Sequence, residues 1–147
     1  MGALNTADIA VTKLSRFSLE DGDVLHALKK DEESYAGFGE AYFSWIKQDA
    51  VKAWKRHNNM TMNLIVPIGM VRFVFCTKKE NGEFEYRAEE IGENAYFRLT
   101  VPPGIWFGFM GLVAPASLIL NISNIVHDSM EVERLSVQDL PYNWVTR

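Results

Sequence analysis

Cysteine is nearly missing from this chain. Cys76 is the only one among 147 residues. No internal disulfide and no cysteine-built zinc site can form, and a reducing compartment fits. Histidine is sparse too: His26, His57 and His127 lie far apart. Three scattered imidazoles do not make a facial metal triad, so no metal and no cofactor is expected. Cationic blocks are absent as well. Fifteen Lys and Arg against 19 Asp and Glu leave a net charge of −4, which speaks against a nucleic-acid surface. The longest apolar run, Ile105 to Leu120, is interrupted by Gly108, Gly111, Pro115 and Ser117. It is too broken to span a bilayer. The start, Met1-Gly2-Ala3-Leu4-Asn5, lacks the basic-then-apolar layout of a signal peptide. There is no nucleophile elbow, phosphate-cradling glycine loop or zinc-protease signature. A soluble cytoplasmic protein without nucleic-acid or membrane partners is expected.

What the chain does have is strand signal. Apolar residues make up 48% and aromatics 12%, a balance that suits a β-rich fold with an aromatic-lined cavity. One domain over residues 1–147, with a short N-terminal extension, is expected from the length. Ala41–Ile46 is short and aromatic-rich. Met62–Val66 runs into Pro67. Val71–Cys76 is β-branched and aromatic, as strands favour. Asn81-Gly82 follows as a hairpin turn before Phe84–Tyr86, because both residues tolerate positive φ. Tyr96–Val101 stops at Pro102-Pro103-Gly104, and Ile105–Leu112 and Ala116–Ile122 come after. About eight short strands with Pro/Gly punctuation indicate a sandwich or barrel. Two segments are ambiguous. Asp23–Asp31 has helical composition with Ser18 or Asp21 as caps, and Glu131–Leu140 reads as a short helix or an edge segment.

Val51-Lys52-Ala53-Trp54-Lys55-Arg56-His57 is the most informative stretch. It puts cationic and imidazole side chains on one strand. Alternation predicts Val51, Ala53, Lys55 and His57 on one face. If that face lines the barrel, a lysine beside a second cationic group has a depressed pKa and can serve as a base. Lys52, Lys55 and Arg56 can equally form a solvated edge or meet a diphosphate. Trp54 and Trp106 read as packing or as platforms for a base or sugar. Met60-Thr61-Met62 reads as core filler.

Val51–His57 is similar to the "V-R-G-L-H-Y-Q" strand of the dTDP-4-dehydrorhamnose 3,5-epimerase family, a branch of the cupins. Pro102–Phe109 resembles its "P-P-G-F-A-H-G-F" segment. Gly39–Ser44 and Asn121–Glu133 resemble two further family segments, and the likeness covers roughly Gly22 to Asp139. It implies an all-β cupin-type jelly-roll barrel and reads Asp23–Asp31 as a strand. It also implies a homodimer and a nucleotide-linked 4-keto-6-deoxysugar as ligand, in surface-polysaccharide biosynthesis. In the family, a histidine oriented by an aspartate removes a proton beside a keto group, and a tyrosine returns one from the other ring face. Here Lys55 falls on the base position, with His57 as the alternative under a shifted match. Asn121 falls on the tyrosine position. Asn63 stands where an enolate-stabilising lysine is expected, and the orienting aspartate has no counterpart before Arg147. The resemblance therefore implies Lys55, His57 and Asn121 as catalytic candidates, and Lys52, Asn63, Arg72 and Trp106 as substrate-binding ones. A sugar-binding module without catalysis and a scaffold barrel are the rival readings.

Overall fold

A computed structural model describes residues 4–145. Among these, twelve strands run β1 (Ala10–Lys13), β2 (Arg16–Phe17), β3 (Val24–Leu25), β4 (Glu40–Lys47), β5 (Val51–His57) and β6 (Met62–Ile68). They continue with β7 (Met70–Lys78), β8 (Phe84–Gly92), β9 (Phe97–Val101), β10 (Trp106–Gly111), β11 (Ala116–Ser123) and β12 (Val132–Arg134). They build two antiparallel five-stranded sheets. The first has the order β1-β9-β6-β11-β4 and the second β12-β5-β10-β7-β8.

Alternation explains how the sheets close on each other. Met62, Leu64, Val66, Leu99, Val101 and Ile119 from the first sheet meet Val71, Phe73, Phe75, Ile91 and Phe107 from the second in one apolar core. This is the jelly-roll architecture expected. The hairpin at Asn81-Gly82 joins β7 to β8, with Gly82 at φ +88°.

The opposite phase of the second sheet carries its own cluster. Val74, Cys76, Met110 and Trp54 pack there beneath Leu140 and Trp144. The C-terminal segment is thus a cover. Trp54 and Leu135 exchange backbone hydrogen bonds of 3.0 Å, and the Trp54 indole donates to the Val137 carbonyl at 3.1 Å. Glu131–Leu140, read from sequence as helix or edge, is an edge strand (β12) followed by a 3-10 turn at Val137–Asp139.

Asp23–Asp31 is not the helix that its composition suggests, and the strand that the resemblance implies is limited to Val24–Leu25. Only Val24–Leu25 pairs, with Arg16–Phe17. Arg98 explains the outcome. It lies fully buried on β9 and donates to the Ala27 carbonyl at 2.6 Å, Glu32 at 2.8 Å and Ser34 at 2.7 Å. The two terminal nitrogens of this buried guanidinium find their acceptors here, and they pin the segment as an irregular strap. Tertiary hydrogen bonding outweighs a helix propensity of a few tenths of a kcal/mol per residue.

Candidate active site

The site grows from the pairing of β5 with β10. Lys55 stands opposite Phe107 and Lys52 opposite Phe109. Two residues of β5, Ala53 and Trp54, therefore face the single residue Gly108, which is a β-bulge. Gly108 permits it: a Cβ there would lie 2.5 Å from the Ala53 Cβ. The bulge corrects the expected alternation. Val51 and Ala53 pack with the outer Trp54 cluster, while Lys52 joins Lys55 on the cavity wall. The cavity measures about 310 Å³ and is lined by Lys52, Lys55, Phe107, Phe109 and Arg134, with the bulge residues. The β5 strand and the segment after Pro-Pro-Gly thus line one cavity.

His57 ends β5 beside this wall and is 6% exposed. Its Nδ1 lies 2.9 and 3.1 Å from the two Glu131 oxygens. A carboxylate only accepts, so Nδ1 carries the proton and Nε2 keeps its lone pair. Nε2 is buried and has no protein partner. The Phe107 ring stacks on the imidazole at 6.1 Å. The Pro-Pro-Gly turn supports the same residue, since Gly104, at φ +95°, donates its N–H to the His57 carbonyl at 2.7 Å. Burial pushes the His57 pKa below its ordinary 6.5, Glu131 opposes this, and Lys55 and Arg134 add to the lowering. Nε2 is consequently unprotonated at neutral pH.

Lys55 pairs in register with Arg134 on β12. Burial lowers its pKa first, and Arg134 lowers it further. Lys52 donates to the Trp45 carbonyl at 3.2 Å. The first sheet turns its own polar side chains toward the interior. Asn121 points inward on β11 and donates to the Ser44 hydroxyl at 3.1 Å. Tyr42 is its register partner on β4. Burial and the Glu40 charge hold the Tyr42 phenol above the ordinary pKa of 10.0, against a lowering by Arg134.

Of the predicted residues, Lys52 and Lys55 line this cavity, His57 follows Lys55 on the same strand, and Asn121 points inward from β11 in the phase of Ile119. The others lie elsewhere. Asn63 sits in the outward phase of β6, bound to Thr100 at 2.6 Å and the Ser34 carbonyl at 3.3 Å. Arg72 pairs with Glu90 at 2.8 Å on the phase shared with Met110. Trp106 lies outward beside the Trp54 cluster, with Arg56 over its ring at 4.8 Å. Odd numbers of residues separate these three from their inward neighbours, and that parity decides their side. Sequence reasoning passed over Glu131 and Tyr42. Glu131 lay in the segment matched to the family but two residues before its terminal glutamate. Tyr42 was legible from parity with the buried Ile46. His26 packs on Phe17, and His127 donates its backbone N–H to Glu40. Among the described residues, no three His, Cys, Asp or Glu side chains converge as a metal site, and no helix is long and apolar enough to cross a membrane.

The sequence matches no protein-family model and no curated protein. Solved structures do match. A dTDP sugar isomerase from Desulfovibrio desulfuricans G20 is 32% identical, with 93% of this chain and 90% of that one covered and a TM-score of 0.86. The chain belongs to the dTDP-sugar isomerase and epimerase family. More distant structures share the fold of this family member. A dTDP-4-dehydrorhamnose 3,5-epimerase from Sulfolobus tokodaii is 19% identical, covering 97% of this chain and 86% of that one at a TM-score of 0.78. A sugar 3,4-ketoisomerase from Thermoanaerobacterium thermosaccharolyticum, solved with TDP, is 14% identical, covering 89% and 90% at 0.73. For a dTDP-sugar isomerase family member, the His57–Glu131 pair is the feature with chemical consequence. It supplies an oriented, neutral, buried imidazole on the strand that lines the cavity.

Proposed function

We propose that this protein isomerises a nucleotide-linked 4-keto-6-deoxysugar, with His57 as the base. The carrying observation is the buried Nε2, unpartnered and oriented through Nδ1 by Glu131. In the reaction, Nε2 takes the proton from a carbon next to the keto group. The C–H electron pair becomes an enolate on the keto oxygen. Lys55 and Arg134, on the cavity wall, stabilise that oxyanion and the diphosphate, together with Lys52. Lys55 was the first candidate for the base on sequence grounds. His57 is favoured because it has a carboxylate orienter and Lys55 has none. No cofactor is needed for a proton transfer of this kind.

The rest of the reading follows the family. Phe43 (63% exposed) and Trp45 (56%) stand on the outer face of the first sheet beside Ile68. An apolar face of this sort supports a homodimer, as does the family resemblance. A cytoplasmic role in surface-polysaccharide biosynthesis is part of the same proposal. Asn121 at the family's acid position favours one rival, a binding module that holds the sugar without turning it over.

The test is deuterium uptake from solvent into TDP-4-keto-6-deoxyglucose, the ligand of a related ketoisomerase. Wild type should incorporate deuterium beside the keto group, and His57→Asn should not. Uptake at the wild-type rate in His57→Asn would remove His57 as the base. Binding without any uptake in wild type would favour the binding module.

A further inference from the structure

Building on the proposed isomerase reading, we infer that Lys55 is a nucleophile, whose amine condenses with the keto carbon of the sugar so that His57 works on an iminium instead of a free ketone. The position of the amine is the first ground. Lys55 lines the cavity of about 310 Å³ with Lys52, Phe107, Phe109 and Arg134. Its cross-strand neighbours are Phe107 on β10 and Arg134 on β12. One is apolar and the other is a cation, so neither offers a carboxylate. Among the described residues, the Lys55 amine makes no hydrogen bond and no ion pair. Like charges directly opposite on adjacent strands repel, so an amine placed there gains by giving up its proton. Burial lowers its pKa and Arg134 and Lys52 add to that, with Glu131 acting the other way. A lysine desolvated in a pocket or set beside another cation is the activated form that attacks carbonyl groups.

Chemistry then selects among the cations that line the cavity. Arg134 is always charged and has no lone pair to offer a ketone. Lys52 is held at the Trp45 carbonyl, 3.2 Å away. Lys55 combines a place on the wall with an unengaged amine. His57 is set beside it. The β5–β12 register runs unbroken from Arg134↔Lys55 to Val132↔His57, so both side chains project from one face, roughly 7 Å apart along the strand. Phe107 links the two: it is the register partner of Lys55, and its ring stacks on the imidazole at 6.1 Å. A sugar tethered at Lys55 holds its acidic carbon one bond from the iminium, next to the residue whose Nε2 lone pair is free. Two bases for one proton would be redundant, whereas an amine and a base divide the work.

The step balances. The Nζ lone pair attacks the keto carbon, and one amine proton passes to the keto oxygen, giving a carbinolamine. Its hydroxyl takes a proton and leaves as water, while the nitrogen pair closes the C=N bond of the iminium. His57 Nε2 then removes a proton from the adjacent carbon. That C–H pair becomes the C=C bond of an enamine, and the C=N π pair moves onto nitrogen. Reprotonation at carbon restores the iminium. Water adds to it, Nζ leaves with its pair, and the ketone is released together with the proton that dehydration consumed. No oxidant or reductant is involved. The enamine takes the place of the enolate in the direct route. Because dehydration consumes a proton and the iminium is itself a cation, this route needs positive charge at Nζ as the enolate does.

The experiment incubates the protein with TDP-4-keto-6-deoxyglucose, the ligand of a related ketoisomerase, and sodium cyanoborohydride, which near neutral pH reduces an iminium and spares the ketone. Intact mass and peptide mapping read the adduct, and a parallel sample in D₂O without reductant reads deuterium uptake. Wild type should become heavier by the mass of the nucleotide sugar less one oxygen atom, with the gain on Lys55. Lys55→Arg keeps the charge but forms no imine. It should lose that adduct, and its uptake should fall by ~100-fold or more, the ordinary scale for losing a group that acts on the reacting bonds. Uptake in wild type without an adduct on Lys55 overturns the inference and leaves the isomerase reading standing. So does uptake at the wild-type rate in Lys55→Arg, or an adduct carried by another lysine and undiminished in that variant. An adduct on Lys55 without uptake does the opposite, keeping the covalent role and sinking the isomerase reading. A wild type that shows neither removes both. The wild-type peptide map decides the matter even where Lys55→Arg fails to fold.

Discussion

The two faces of β5 differ as much as any two regions of the molecule. The outward face is closed. Trp54 is fully buried among Tyr86, Tyr142 and Trp144, with ring centroids 6.4, 6.3 and 5.3 Å away. Its indole N–H is satisfied, and Arg56 is paired with Glu133 and stacked on Trp106. The inward face is left open. Lys52 and Lys55 border a cavity, and His57 keeps a buried nitrogen without a partner. Unpaired buried polar atoms, each costing ~1–3 kcal/mol, occur on both faces, since Trp144 Nε1 in the outer cluster lacks a partner too. What sets the inward face apart is that its unpaired atom is the basic nitrogen of an imidazole oriented by Glu131, whereas the outward face is closed by aromatic packing.

The largest way to break the comparison is on the inward side. His57→Asn should lower deuterium exchange by ~10²–10⁴-fold, the range for losing a general base. The fluorescence of the outer tryptophan cluster should stay native. Next comes its mirror image. Trp54→Ala empties the outer cluster and should cost ~3–5 kcal/mol of stability, read from denaturant unfolding. Below its lowered melting point, the variant should still bind a nucleotide sugar. If His57→Asn unfolds the chain while Trp54→Ala leaves stability unchanged, the assignment of the two faces is reversed.

How much of this was legible depended on how local the signal was. The Asn81-Gly82 hairpin, the Pro102-Pro103-Gly104 stop and the strand runs are local, and the structure keeps all of them. The inward direction of Lys55 and His57 followed from alternation. Lys52 did not, because a bulge is a two-strand event and only Gly108 on the partner strand signals it. Glu131 was hidden for a similar reason. It is 74 residues from His57 in sequence, and nothing in its neighbourhood marks it as a partner. The 23–31 segment failed because Arg98, about 70 residues away, supplies hydrogen bonds that a helix would have supplied internally. Arg72 and Trp106 have the chemistry of ligand contacts, but strand parity puts both on the outward phase, with Met110 and the Trp54 cluster.

Gly108 tests the bulge that separates the faces. Gly108→Ala drives a Cβ into Ala53 and within 3.1 Å of the Lys52 carbonyl. Neither neighbour is a flexible side-chain end, so β5 must shift. An overpacking cost of ~1–3 kcal/mol is expected. Exchange activity should fall more than Trp54→Ala makes it fall, although the Ala variant is the more stable of the two. Full activity in Gly108→Ala would show that the bulge does not position Lys52 and Lys55.

The smallest effect is the subtlest, and it concerns pH. The folded pKa of His57 lies below the ordinary 6.5, with burial the main cause. The unfolded chain therefore binds the proton more readily than the folded one. The stability contribution of neutral His57 is present above 6.5 and is lost as pH falls through 6.5 toward the folded value. Activity should hold further into acid than a free imidazole would allow, because Nε2 stays unprotonated until the lowered pKa is reached. Lys55 works at the other end. Its pKa is lowered from 10.5, so the cation that stabilises the enolate is lost before that pH, and the alkaline limb should come early. Glu131→Gln sharpens the case. The carboxylate is what holds the imidazole pKa up against burial. Its removal should move the acid limb to lower pH while reducing the rate at the plateau, since Nδ1 loses its orienting acceptor. Trp54→Phe, on the other face, should leave both limbs where they are. An acid limb that moves to higher pH in Glu131→Gln would mean that Glu131 does not act on His57 through its charge.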